Sequence, residues 1–210
     1  MVYAKYVLGV NFMNKKFGRK LYSIGESYKI MYKGIRTIGA LKKAKSEDLM
    51  DSKFIERIML AVTEVNSCPM CSYAHTKAAL EAGIDHEEIK NMMDGIIDNI
   101  PDNEIEGVLF AQHYADKRGK PSKESWHKVV AVYGKTKAEG ILACTRMIMM
   151  GNAYGIPLGS FMHRFKGKPD ERSGLIYEIG MLLTFVIFLP ISLIHTLFSA
   201  LLKKPLITFK

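Results

Sequence analysis

Apolar residues recur every three to four positions along most of the chain and no stretch alternates strictly between apolar and polar, a pattern that predicts an all-α fold. Phe54, Ile55, Ile58, Met59, Val62 and Val65 form one apolar stripe, on a helix that Ser52 can cap. Ser67 reads as the cap of a second helix, which carries Cys68, Cys71, His75, Ala78 and Ala79 and stops at Gly83. Asp85 with Glu88 resembles a capping box, opening a third helix that ends before Pro101. Further helices are expected from about Asp102 to Arg118, from Ser122 to Tyr133 ahead of Gly134, and from Thr136 through ILACTRMIMMGNAYG towards Gly155. Residues 159–174, rich in Gly, Pro and charge, read as a linker.

The end of the chain is of another kind. Ile179 to Leu202 is a run of 24 residues without a formal charge, bounded by Glu178 and by Lys203-Lys204. At about 1.5 Å per residue, a helix of this length can cross a hydrocarbon core of roughly 30 Å. Pro190 would kink it, and His195 with a few Ser and Thr is tolerable inside it. The buried centre of an oligomer can share this composition. Charge favours the membrane: of the net +9, residues 1–45 supply eleven Lys and Arg against Glu26 alone, leaving the remainder at −1. A basic excess confined to one arm suits an anionic surface, and beside an apolar tail that surface is expected to be a membrane, with no nucleic acid as partner. The expected division is a basic N-terminal arm over 1–50, a helical domain over 51–158, a linker over 159–178 and an apolar helix over 179–202.

The first residues lack the long apolar run and small-residue cleavage site of a secretory signal. Three cysteines, two of them in a CxxC, do not make a disulfide framework, so a cytoplasmic protein at the inner face of the membrane is expected.

Chemistry concentrates at Cys68-Pro69-Met70-Cys71 and His75. The thiolate is the nucleophile of peroxide reduction and disulfide exchange, so a reactive cysteine needs something to lower its pKa. Here the pair sits in the opening turn of a helix, where unpaired N–H groups favour an anion, and His75 lies four residues after Cys71 on the same face. Cys71 is therefore the expected attacking thiolate, and Cys68 can condense with its sulfenic acid to a disulfide that an external dithiol reduces. No bound cofactor is needed. The same residues could supply three zinc ligands, with Cys144, His113 or a carboxylate as fourth, but most such sites have a second CxxC and this chain has none. Cys144 reads as a small buried hydrophobe and the thirteen methionines as core packing. His86, His113, His127, His163 and His195 have no partner that the sequence identifies.

Glu56, eleven residues, then Cys68-x-x-Cys71-x-x-x-His75 resembles the signature of the carboxymuconolactone decarboxylase and AhpD-like superfamily, and ERIMLAVTEVNSCPMCSYAHTKAALEAG resembles its helix pair. The resemblance covers about Lys53 to Gly155. It implies an AhpD-like helical bundle, assembled into homo-oligomers with the CxxC helix near a subunit interface. It also implies reduction of hydroperoxides by Cys71 and Cys68, with Glu56 and His75 as a proton relay; Glu56 is singled out by the resemblance alone. Met70 stands where the best-known alkyl hydroperoxidase D pattern has a His, which keeps disulfide reductase or redox adaptor activity as an alternative. A non-enzymatic membrane-associated scaffold with a CxxC zinc site is a further one. The decarboxylase branch does not depend on a dithiol.

Overall fold

The computed structural model describes residues 21–209, so the basic residues of positions 1–20, part of the expected arm, lie outside the described residues. Seven helices and no strand are present among the described residues: α1 (Ile24–Ser46), α2 (Ser52–Asn66), α3 (Pro69–Glu81), α4 (His86–Met93), α5 (Asp102–Asp116), α6 (Lys123–Arg164) and α7 (Leu175–Leu201). The all-α expectation is met, with a long apolar C-terminal helix. By length and composition, α7 is the one helix among the described residues that is apolar enough to cross a membrane.

Residues 24–46, read from charge as part of an arm, form a helix packed along α6 and α7. Ser23 and Glu26 make a reciprocal capping box at its start, and Ile30, Met31 and Ile35 are its buried face. Of the described basic residues that suggested an arm, Lys29, Lys42, Lys43 and Lys45 are exposed, whereas Lys33 and Arg36 are half-buried.

Helix α2 is the centre of the bundle. Its whole circumference from Arg57 to Thr63 is buried, wider than the stripe the sequence shows, because α3, α4, α5 and α6 all pack on it. Its cap is Asp51, whose Oδ1 accepts the Phe54 N–H at 2.7 Å, one residue earlier than the expected Ser52. Helix α4 ends at Met93, well short of Pro101, where Gly95 takes a left-handed φ of 83°. Helix α6 breaks at Gly134 (φ 71°), as the sequence suggests, but then runs on through Pro157 to Arg164, past the expected linker start at 159.

One buried ion cluster fastens α2 to its neighbours. Arg57, 6 % exposed, donates through Nε and Nη2 to the two Glu88 carboxylate oxygens of α4 at 2.6 and 3.1 Å, and through Nη1 to Glu104 of α5 at 3.0 Å. Even beside this guanidinium, burial holds the Glu104 carboxyl above its usual range. Replacing Arg57 by Met is expected to lower unfolding stability by about 3 kcal/mol, because two buried carboxylates lose their shared partner. Chemical denaturation at neutral pH measures it, and an unchanged midpoint would show the cluster to be energetically idle.

Candidate active site

The site is built where α2 reverses into α3. Ser67 closes α2 in the left-handed conformation (φ 54°), its N–H bonding back to Thr63 O and Glu64 O, so it is the end of one helix and not the cap of the next. The cap is Cys68, in extended conformation, whose Sγ accepts the Cys71 N–H at 3.3 Å. Pro69 follows at the first helical position, where its fixed φ fits and its missing N–H costs nothing. The Cys68 carbonyl is held in turn by the Ser72 N–H and hydroxyl, both at 2.9 Å.

Cys68 and Cys71 are paired as a disulfide, with Cα atoms 5.3 Å apart. Cys68 is fully buried, whereas Cys71 is 9 % exposed. His75 lies one turn further along α3, and its Nδ1 meets Glu56 Oε2 of α2 at 2.9 Å, both side chains being half-buried. With Nδ1 engaged by the carboxylate, Nε2 is the nitrogen left to take or return a proton. Structure thus joins two of the four expected site residues by a disulfide and the other two by a hydrogen bond, on one helical hairpin.

Helix α6 forms the back wall, which sequence reasoning did not assign to the site. Its residues Met149, Asn152 and Gly155, at intervals of three, face α2 and the start of α3. Asn66 donates to Met149 Sδ at 3.1 Å and accepts from the Tyr22 hydroxyl at 2.6 Å. Thr63 donates to Asn152 Oδ1 at 3.3 Å. Gly155 rests directly on the sulfurs: a Cβ there would stand 2.9 Å from Cys71 Sγ and 3.0 Å from Cys68 Sγ. The glycine lies in the GNAYG segment quoted above, yet a glycine inside a helical pattern gives no sign of what it packs against.

Met70 is exposed, as is Tyr73, so the mouth of the site is lined on this side by side chains without a titratable group near neutral pH. Two of the residues considered as a fourth zinc ligand are engaged elsewhere. Cys144 is buried in α6 with its Sγ towards the Ile55 carbonyl at 3.7 Å, and burial pushes its thiol far up, the behaviour of a packing residue. His113 Nε2 accepts the Ser122 N–H at 3.1 Å. Among the described residues, no group of three or more His, Cys, Asp or Glu is arranged to hold a metal.

Residues 36–97 match the carboxymuconolactone decarboxylase family. The match spans under a third of the chain and is a likeness of that segment. The family includes the AhpD-like proteins, and the matched segment runs from within α1 to beyond α4, enclosing Glu56, Cys68, Cys71 and His75. No curated protein and no solved structure matches the chain. That likeness is compatible with an enzyme.

Gly155→Ala is expected to destabilise the oxidised protein by about 1–3 kcal/mol, since the added methyl must displace a covalently held sulfur pair. Gly159→Ala, four residues on in the same helix and facing open space, is expected to be neutral or to stabilise by up to about 1 kcal/mol. Thermal unfolding of the two variants side by side separates crowding of the sulfurs from a general effect of alanine in α6.

Proposed function

We propose that the Cys68/Cys71 pair reduces hydroperoxides in a dithiol-disulfide cycle. The observation that carries this reading is the Glu56–His75 hydrogen bond, which orients a proton carrier one turn from Cys71. In the reduced form His75 takes the Cys71 proton, and the thiolate attacks the distal peroxide oxygen. The O–O bond breaks, leaving Cys71 sulfenic acid and an alkoxide that receives the proton and departs as alcohol. Cys68 then attacks the sulfenic sulfur, forming the disulfide and releasing water. An external dithiol closes the cycle: its thiolate attacks the more exposed Cys71 sulfur and Cys68 leaves as a thiolate, stabilised by the Cys71 N–H at the helix start. The oxidised donor carries away the two electrons. Burial of Cys68 and partial exposure of Cys71 support this assignment of resolving and attacking roles.

A second reading, reduction of a protein disulfide, is favoured by the exposed Met70 and Tyr73, which offer a docking rim where the family's pattern has a proton carrier. Both readings use a homo-oligomer and an external dithiol donor; the apolar length of α7 supports membrane association and the cysteine usage a cytoplasmic location.

The test is intact mass after alkylation of free thiols in denaturant, with and without one equivalent of peroxide. The wild type is expected to lose two alkylation sites, mapped to Cys68 and Cys71. Cys71→Ser should abolish peroxide consumption, Cys68→Ser should leave a trapped sulfenate on Cys71, and Glu56→Gln should slow turnover about a hundredfold. Thiols that remain alkylatable through prolonged peroxide exposure would sink the peroxidase reading, and turnover of a protein disulfide by the same preparation would establish the second.

A further inference from the structure

Helix α7 carries its polarity inside out. From Leu175 to Leu202 every exposed residue is apolar, whereas Glu178, Thr184, Ser192 and Ser199 are buried and Tyr177, His195 and Thr196 half-buried against the bundle. Three of these inward groups find partners there: Tyr28 Oη lies 2.9 Å from His195 Nδ1, Tyr32 Oη 2.8 Å from Ser199 Oγ, and the Tyr177 hydroxyl donates to Tyr22 O at 2.8 Å. Ile176, Val186 and Leu197, spread along the helix, are 89 %, 69 % and 61 % exposed.

Both ends are fastened to the same body. Arg164 of α6 grips both Glu178 carboxylate oxygens at 2.8 and 2.9 Å near the start. Past the end, Arg36 bonds to Lys204 O, and Arg146 donates to Leu206 O at 2.9 Å. A helix crossing the bilayer would have to abandon one set of these bonds.

We propose that α7 lies flat in the surface of an anionic bilayer, its outward side chains among the acyl chains and the helical domain on one side. The inference rests on the membrane-face placement above and adds its geometry. A strip of about 40 Å with no polar group is far beyond what a soluble monomer exposes singly. A second copy is a poorer fit, since protein interfaces make roughly one hydrogen bond per 100–200 Å² and this strip offers no side chain to make one. Exposed Lys166 and Lys168 precede the helix and Lys203 and Lys204 follow it, as an anionic surface requires. Residues 1–20, with five Lys and Arg and no acid, join the fold beside Tyr22, which the start of α7 touches.

Flotation of the purified full chain with phosphatidylcholine vesicles, with and without phosphatidylglycerol, tests the occupant. Binding is expected with phosphatidylglycerol, and Leu183→Glu with Val186→Glu, both at exposed positions, should weaken it at least tenfold. Single tryptophans at Ile176, Val186 and Leu197 in a Trp126→Phe background then report depth through nitroxides placed shallow or deep in the acyl chains. Equal, shallow quenching at all three supports flat docking. Deepest quenching at Val186 would overturn flat docking in favour of spanning while leaving the membrane placement intact. Absence of vesicle binding, with a sedimentation mass that falls in the double-glutamate variant, would overturn both and assign the strip to a second copy.

A separate observation points to a ligand site. A cleft of about 260 Å³ between α1, the end of α5 and α6 is lined by Lys29, Lys33, Lys120 and Arg146 among others. Arg146 is 3 % exposed, yet its bonds go to neutral acceptors, the Tyr114 hydroxyl at 2.8 Å and Leu206 O; Lys33 likewise donates to Gly119 O at 2.7 Å. The two acids on the lining are paired with other cations, Glu26 with Arg118 at 2.9 Å and Asp116 with Lys117 at 3.3 Å. A cation buried as deeply as Arg146 ordinarily has an anionic partner.

We infer that the cleft binds a phosphate-class anion, either free or as a lipid headgroup. Burial and the neighbouring Arg146, Lys120 and Lys29 charges push the Lys33 ammonium down to about 8, a cost that an anion relieves. Calorimetric titration with inorganic phosphate, and separately with a short-chain phosphatidic acid below its micelle concentration, tests it. Binding that drops at least tenfold in Lys33→Gln or Lys120→Gln, and weakens as pH rises above 8, supports the site, and the tighter of the two probes identifies the source. Neither probe binding, or both variants binding as the wild type does, would overturn it.

Discussion

The left-handed turn at Ser67 is the constraint on which the site depends. It ends α2 and releases Cys68 into an extended conformation, from which its sulfur can receive the Cys71 N–H. Because the reversal is so short, α3 returns along α2 in a tight hairpin, and Glu56 and His75, nineteen residues apart in the chain, come within hydrogen-bonding distance. Had α2 run one turn longer, the sulfur pair would have moved away from the Glu56 carboxylate that meets His75. The geometry of the chemistry is thus a consequence of where one helix stops.

Around this hairpin the protein uses two kinds of glue. The Arg57 cluster binds α2 to α4 and α5 through charge held away from water, whereas α6 is held by close approach and by the polar contacts of Thr63 and Asn66. Close approach is possible because Gly155 leaves the sulfurs room and because Gly107 and Gly140 play the same part against Phe54 and Met50. Helix crossings this tight depend on missing side chains as much as on present ones.

Much of this was legible from residue order, and the parts that were not share a cause. The apolar period located α2, α3 and α5, and Gly134 marked the break in α6, since these depend on local chemistry. The dithiol and His75 were legible from spacing, Glu56 only by its resemblance to a family pattern. Caps were misread by one residue at Ser52 and Ser67, because Asp51 and Cys68 are also competent acceptors and tertiary packing chooses between neighbours. Gly155 was invisible, since its neighbours lie more than eighty residues away in the chain. Helix α1 was hidden by its own charge: a half-exposed helix among lysines looks like an arm until its buried face has something to cover. The inward-facing polar groups of α7 were likewise noted only as tolerable, because composition alone does not say which side of a helix they occupy.

Helix α6 touches the sulfurs at Gly155 and grips α7 through Arg164, and the backbone stays helical between them, through Pro157. Nine residues of helix amount to a rigid strut of about 13 Å. Were α7 seated in lipid as proposed, that span would set the elevation of the sulfur pair above the acyl chains. The proposed reactive pair would then not be tethered near the membrane and left to search. It would stand at one height, and the reactants it met would be selected by the depth at which they themselves partition.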